Sequence, residues 1–346
     1  MNSFLSVIGI KNIHISSRQI IILNVFVITS CICFLMAAVT GSINVPIGDI
    51  IRGDISELTK IVLIEIRLPR VILAALVGAS LGISGAALQG LFRNPLADPG
   101  LIGVSAGAAL GATLVIVLGS SISGGLFLGS FLLPLGAISG AMLVIMMLYL
   151  LTKGFGYQGV TYMLLVGIAV NAIAGVGIGI LTFISTDSEL RGLTFWTMGS
   201  FGGVTWPLLI PAIVIILISI SSMMTVSRNL DLIQLGEPEA YRLGVDVKKL
   251  KYKIIISCAA AVGASVSLSG MIGFVGLVVP HLVRLFGGVN HNYLLPGSAF
   301  VGAALMITAD MLSRTIIQPA ELPVGLITSA IGSPFFLWLI FRIKRS

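Results

Sequence analysis

Long apolar runs separated by short polar stretches dominate the pattern along this 346-residue chain. A helix that crosses a bilayer needs about 20 mostly apolar residues, and ten runs approach or exceed this length. The ten runs are Ile20–Val39, Val71–Leu91, Gly103–Leu118, Leu126–Leu151, Val160–Phe183, Leu208–Met224, Ile254–Leu268, Ile272–Phe286, Leu294–Ile317 and Leu322–Phe341. The pattern predicts an all-α polytopic membrane protein with about ten transmembrane helices, forming one transmembrane domain over residues 1–346.

Charged residues are scarce and unevenly distributed. They make up 10% of this chain, against about 25% of a soluble globular protein, so the chain cannot cover a water-facing surface. Ten spans place both termini on one side, and 14 of the 20 Lys and Arg residues then lie on that side. Cytoplasmic loops carry such a basic excess. We therefore expect both termini in the cytoplasm, and the net charge of +7 needs no nucleic acid as a partner.

One polar segment, residues 228–253, interrupts the apolar pattern on the cytoplasmic side and holds a cluster of Lys and Arg residues. Leu235 and Leu243 supply an intermittent apolar face, Gly244 can end a first short helix, and Asp246 can cap a second one. Two short amphipathic helices are suited to fill a groove on another protein. The alternative is a helix pair that touches only membrane lipid, because the basic residues also suit anionic headgroups.

An internal repeat relates the two halves of the chain. Residues 74–75 and 77–80 recur as residues 259–260 and 262–265, and ten of thirty positions agree at this offset of 185. Chance agreement is the alternative, because Ala, Gly and Ser are common where membrane helices pack. The copies begin at the second and seventh spans, which run in opposite directions. The pattern predicts an inverted five-helix repeat, as in many transporters.

Small residues recur every four positions in three of the predicted helices. This spacing lines one helix face and allows close backbone approach in lipid. The faces either pack against other helices or border a wide pathway, and the same alternatives apply to the polar Asn171. The stripes are Gly78, Gly82, Ala86 and Gly90; Gly103, Gly107 and Gly111; and Gly167, Asn171, Gly175 and Gly179.

The chain lacks the residues that would power transport by itself. No Gly-Lys pair occurs, so there is no phosphate-binding P-loop, and the dispersed Cys and His residues lack metal-ligand spacing. Asp310 is the main intramembrane acid, whereas ion-coupled transporters need buried ionisable groups along their path. We expect no enzymatic site, cofactor or metal in this chain. An ion-coupled secondary transporter is the rival hypothesis, and a partner is the expected energy source.

Several motifs, in order from residue 67 to the C-terminus, resemble the FecCD-type permeases of bacterial ABC importers for iron–siderophores, haem and cobalamin. The motifs lie at 67–70, 78–90, 93–100, 196–201, 235–237, 273–281, 309–310 and 321–323. The resemblance implies a protein of the bacterial inner membrane that works with a second permease subunit, identical or homologous. It also implies two cytoplasmic ATPase subunits, which hold Mg-ATP, and an extracytoplasmic substrate-binding protein.

The resemblance also implies roles for particular residues. Arg67, Arg70 and Arg314 would dock the binding protein through its carboxylates, although pairing within the chain, with Glu65 or Asp310, is the alternative. The predicted ATPase-coupling residues are Leu235, Gly236, Glu237, Pro238, Glu239, Ala240, Arg242, Leu243 and Gly244.

Four residues are predicted at the pathway or gate. Asn94, Leu96 and Thr161 follow from the resemblance, and Asn171 follows from its place within a span. The loop at 153–161 departs from the Ser/Thr-rich gate loop of the cobalamin member. We therefore expect ferric siderophore as the substrate, with haem or cobalamin as alternatives.

Overall fold

The computed structural model describes residues 15–41, 56–122, 129–152, 159–317 and 320–345, and this part of the chain is helical without strands. Seven of its helices are long and apolar enough to cross a membrane, and three shorter apolar helices complete a set of about ten. The helices are α1 Ser17–Val39, α2 Glu57–Ile61, α3 Leu68–Phe92, α4 Val104–Ile122, α5 Gly129–Thr152, α6 Gly159–Ile184, α7 Asp187–Met198, α8 Trp206–Met224, α9 Ser227–Ile233, α10 Glu237–Arg242, α11 Val247–Ser269, α12 Val275–Gly287, α13 His291–Thr315 and α14 Val324–Arg345.

Local sequence signals explain several helix ends. A capping box formed by Ser16 and Gln19 begins α1, and Thr186 with Glu189 forms another at α7. These reciprocal bonds satisfy amide groups that have no partner inside the helix. A π-helical turn at Val62–Arg67 joins α2 to α3, so that residues 57–92 form one continuous helical segment.

Helix α3 is the centre of the fold. Nearly every residue from Val71 to Leu91 is buried, and the helix packs against α8, α11, α12 and α13. A helix that is apolar on all sides suits either the centre of a bundle or a lipid-facing position, and the small residues of α3 allow its neighbours to surround it closely. By contrast, α6 exposes apolar side chains on several sides, including Leu165, Ile173 and Phe183.

The helix neighbours support the inverted repeat. In an inverted repeat, α3, α4 and α5 of the first half correspond to α11, α12 and α13 of the second. The contact of α3 with α13 then corresponds to that of α11 with α5, and the contact of α4 with α5 corresponds to that of α12 with α13. At the contact between α3 and α11, the hydroxyls of Ser80 and Ser265 lie 2.6 Å apart. These residues are equivalent at the offset of 185, as expected where a pseudo-twofold axis passes between two copies.

At the same offset of 185, Pro95 is matched by Pro280 and Gly103 by Gly288, but the equivalence of positions in the fold does not extend beyond α3 and α11. Pro95 lies in the loop after α3, whereas Pro280 lies inside α12. Gly103 precedes α4, whereas Gly288 follows α12. The sequence matches at these two pairs therefore do not reflect equivalent positions, because the connections after α3 and α11 differ in length.

Two of the three small-residue stripes are packing faces. A side chain at Gly78 would overlap the carbonyl of Gly302 in α13, and one at Gly111 would overlap the carbonyl of Gly136 in α5. The stripe on α6 differs, because a Cβ at Gly175 would meet nothing within 4 Å.

Hydrogen bonds group the helix ends into two sides. On the cytoplasmic side, the start of α1 meets the end of α12 through a bond of 2.7 Å from Gln19 Nε2 to the Gly287 carbonyl. On the outer side, Val324 N at the start of α14 donates to the Gly199 carbonyl. The sides agree with the charge distribution, with α1 beginning and α14 ending at the cytoplasm.

Candidate functional site

The coupling segment, residues 235–244, contains a short helix bounded by glycines. Gly236 has φ +110° and Gly244 has φ +87°, a region that side chains disfavour. Between them, α10 spans Glu237–Arg242 with Pro238 in its first turn, where proline is tolerated because its missing N–H has no helical partner. The sequence-predicted helix and its end at Gly244 are confirmed.

A buried ion pair joins α10 to α11. Lys251 Nζ lies 2.7 Å from Glu237 Oε2, and the two side chains are only 6% and 10% exposed. Ala240 is also fully buried against the protein. From the sequence, Lys251 was one of a cluster of basic residues, and its pair with Glu237 was not predicted. The spacing of 14 residues across a turn carries no local signal for it.

Further hydrogen bonds tie the preceding helix α9 to the membrane helices. Gln234 Nε2 donates to the Gly90 carbonyl at the end of α3 over 2.7 Å. Asp231 Oδ1 lies 2.6 Å from His291 Nδ1 and accepts from the His291 N–H over 2.9 Å. The coupling segment is therefore linked directly to α11 by the ion pair, and to α3 and α13 through α9, which leads into it. From the sequence, the dispersed His residues lacked metal-ligand spacing, and this contact of His291 was not predicted.

The opposite face of the coupling segment is available to a partner. Leu235, Tyr241 and Leu243 are 63%, 64% and 56% exposed. Glu239 and Arg242 form an exposed pair of 2.9 Å beside them. Large exposed apolar side chains rimmed by charge mark a protein-contact surface. Tyr241 belongs to this face and was not among the predicted coupling residues.

Two of the four predicted gate residues lie together in an exposed turn after α3. Asn94 Oδ1 accepts from the Leu96 N–H over 2.9 Å, an interaction that fixes the turn, and both residues are exposed. Thr161 lies in α6, and its side chain is outside the described residues. Asn171 Nδ2 donates to the Gly100 carbonyl over 3.2 Å, so the side chain makes a contact within the protein, and its place at the pathway stays a prediction.

Asp98 shapes the same cytoplasmic loop. Its Oδ1 accepts from the Gly100 N–H over 2.8 Å, which begins the 3₁₀ turn Pro99–Ile102. Burial raises the pKa of the Asp98 carboxyl, while the bond from Gly100 acts in the opposite direction. The loop is thus held in shape from within, close to the cytoplasmic end of α3.

On the outer side, the three predicted docking arginines are buried. Arg67, Arg70 and Arg314 are only 5–8% exposed. Asp310 accepts from Arg70 Nε over 2.9 Å and pairs with Arg314 Nε at 3.2 Å. Glu321, which is partly exposed, pairs with Arg70 Nη1 at 2.9 Å.

Arg67 and Arg314 also form hydrogen bonds with the outer end of α1. Arg67 Nη1 donates to the carbonyls of Ala38 and Val39, and Arg314 donates to those of Ala37 and Thr40 over 3.3 Å. The alternative in which Asp310 pairs with Arg314 is confirmed, and it extends to Arg70. Docking of a binding protein by these arginines stays a prediction.

Among the described residues, no group of three or more His, Cys, Asp or Glu side chains could hold a metal ion. The side-chain contacts described above on the two faces are ion pairs and hydrogen bonds. These arrangements position helices and present contact surfaces.

Comparisons with known proteins identify the class. The model of the FecCD transport family matches residues 28–342. The hemin transport system permease protein HmuU of Yersinia pestis is 47% identical over 82% of this chain and 84% of its own length. The vitamin B12 import system permease protein BtuC of Vibrio vulnificus is 36% identical over 88% and 91%.

A solved structure of similar fold agrees. A metal-chelate type ABC transporter in an inward-facing conformation superposes with a TM-score of 0.82 and 33% identity, over 93% of this chain and 99% of that one. The range matched by the family model includes both the coupling segment and the outer arginine cluster. The chain therefore belongs to the FecCD transport family and is a membrane permease of the ABC importer type.

Proposed function

We propose that this chain is the permease subunit of a binding-protein-dependent ABC importer for an iron chelate in the bacterial inner membrane, with haem as the foremost substrate. The observation that carries the substrate class is the 47% identity to a hemin permease, compared with 36–39% for the vitamin B12 permeases. Ferric siderophore is the second candidate, supported by the metal-chelate type of the structural neighbour.

ATP would be hydrolysed on separate cytoplasmic subunits that contact the exposed face of α10. A movement of α10 reaches α11 through the pair of Glu237 with Lys251. By way of the adjoining α9, it reaches α3 through Gln234 and α13 through Asp231. Buried ion pairs resist separation because a lone charge is left in a medium of low polarity. The three helices therefore move with the coupling segment.

A second permease subunit would complete the pathway at α6. Gly175 and Gly179 have open space where a side chain would be, and neighbouring positions such as Val176 and Ile180 are more than half exposed. A small-residue face of this kind allows another helix, or the substrate, to approach closely. On the outer side, the binding protein would dock near Arg67, Arg70 and Arg314.

Uptake measurements in a strain that lacks this gene test the proposal. Cells complemented with the wild-type chain should accumulate labelled haem above the empty-vector strain, with cobalamin uptake unchanged. Uptake of a ferric siderophore instead of haem would select the second candidate. Restoration of cobalamin uptake alone would contradict an iron chelate as the substrate, and uptake independent of any ATPase would contradict the ABC mechanism.

A further inference from the structure

An apolar groove of about 620 Å³ lies on the side of the helix bundle, away from the contacts described above. Met142 and Met146 of α5 and Ile215 of α8 stand at its sides, and Ile256 and Ala260 of α11 belong to its floor. It is an open furrow, because α11 carries small residues where α5 and α8 diverge. Its volume is within the range of pockets that hold small molecules.

Two lysines lie on the face of α11 that continues from the groove toward the cytoplasmic side. Lys249, Lys253, Ile256 and Ala260 follow one another at spacings of four, three and four residues, so they share one face of α11. Lys253 is exposed, and its Nζ lies 2.8 Å from Thr225 Oγ1 at the end of α8. From Lys253 to Ala260, the helix rises by about 10 Å.

Hydroxyl and aromatic groups complete this end. Ser257 and Ser222 hydroxyls lie 2.9 Å apart between α11 and α8. The rings of Tyr149 and Tyr252, from α5 and α11, have centroids 5.2 Å apart. Asp246, 3.1 Å from Lys249, is the nearby acid. The surface along α11 thus changes from polar and basic beyond the cytoplasmic end of the groove to apolar within the groove.

We propose that this groove binds an anionic phospholipid, with an acyl chain against Ile256 and Ala260 and the headgroup phosphate at Lys249 and Lys253. Basic positions at the cytoplasmic surface attract anionic headgroups, and an open apolar furrow in the bilayer accepts an acyl chain. A second copy of this chain is disfavoured as the occupant. A twofold axis along the membrane normal would place equivalent lysines at the same depth, so that like charges would face each other.

Lipid binding to the purified full-length protein tests the proposal. Native mass spectrometry would compare phosphatidylglycerol with phosphatidylcholine of identical acyl chains. Two lysines at roughly 1 kcal/mol each correspond to about thirtyfold tighter binding of phosphatidylglycerol. The double variant Lys249→Gln/Lys253→Gln should remove this preference. Ala260→Phe should weaken the binding of both lipids, because the larger side chain would fill the groove.

Matched controls keep the result specific. Lys248→Gln removes a neighbouring exposed charge from another face of α11, and Ile218→Phe adds bulk at an exposed position of α8 outside the groove. Both should bind lipid as the wild type does. Equal binding of the two lipids by the wild type would overturn the proposal, as would unchanged binding by Ala260→Phe.

Two further outcomes would show that a protein, and not a lipid, occupies this surface. In a variant with the three native cysteines replaced, a disulfide between two copies carrying Met142→Cys would show that a second copy covers the groove. Loss of ATPase association in Lys249→Gln/Lys253→Gln, with lipid preference intact, would show that the lysines serve the ATPase. Either outcome overturns the proposal.

Discussion

Lys251 in the first turns of α11 neutralises Glu237 at the start of α10, with 2.7 Å between Nζ and Oε2 and both side chains buried. The pair is buried, whereas Leu235 and Leu243 of the same segment are exposed. The pair therefore connects the segment that offers a surface to a partner with a helix that crosses the membrane.

Glu237→Gln should weaken association with the ATPase subunits. Removal of one member of a buried pair costs about 3–5 kcal/mol, because the remaining charge is left without compensation, and here α10 would detach locally. Co-purification of the ATPase measures the effect. Glu239→Gln is the matched control, since its pair with Arg242 is exposed and contributes about 0–1 kcal/mol.

A second variant distinguishes the loss of the ion pair from the effect of leaving Lys251 without a counter-charge. Glu237→Gln combined with Lys251→Met removes both charges and should recover much of the association lost in Glu237→Gln. Full association in Glu237→Gln alone would show that α10 is held without the pair.

Asp310→Asn should destabilise the whole protein. Its carboxylate lies between Arg70 and Arg314 and is fully buried, so two guanidinium groups would lose their counter-charge. A loss of about 3–5 kcal/mol is expected, visible as a lower Tm of the purified protein. Glu321→Gln should lower Tm much less, because that side chain is 45% exposed. Equal effects of the two variants would contradict the central place of Asp310.

Arg67 offers the sharpest test of binding-protein docking. Its described hydrogen bonds run to the main chain of α1 rather than to Asp310, so Arg67→Gln leaves the Asp310 pairs in place. If the arginine docks an acidic surface, the Kd for the binding protein should rise several-fold, while ATPase association is unchanged. Arg191→Gln, on the exposed part of α7, is the control. An unchanged Kd with a lowered Tm would assign Arg67 a structural role alone.

Gly78→Ala should disrupt the packing of α3 on α13. The added Cβ would overlap the Gly302 carbonyl, and such overpacking costs about 1–3 kcal/mol. The Cβ added by Gly175→Ala would enter open space, so this variant should leave the free energy of unfolding nearly unchanged. Thermal unfolding of the two variants measures the difference. Similar Tm values would mean that α3 and α13 can separate at little cost.

The sequence by itself determined the class and orientation of this protein. Apolar runs of about 20 residues predict ten membrane helices because the bilayer leaves no other partner for the backbone. The basic excess on one side predicts cytoplasmic ends. Glycines and a capping Asp246 predict the short helices of the coupling segment, since these residues act on their immediate neighbours. Motifs in order along the chain identified the family.

Only the tertiary structure decided the partners of the charged residues. Arg70 and Asp310 are 240 residues apart along the chain, and Lys251 pairs across a turn with Glu237. From the sequence, Arg70 was predicted to face a binding protein and Lys251 belonged to a basic cluster. Charges attract whatever the fold brings near, and burial strengthens that attraction. Their roles therefore depend on how helices distant in sequence pack, which local patterns do not encode.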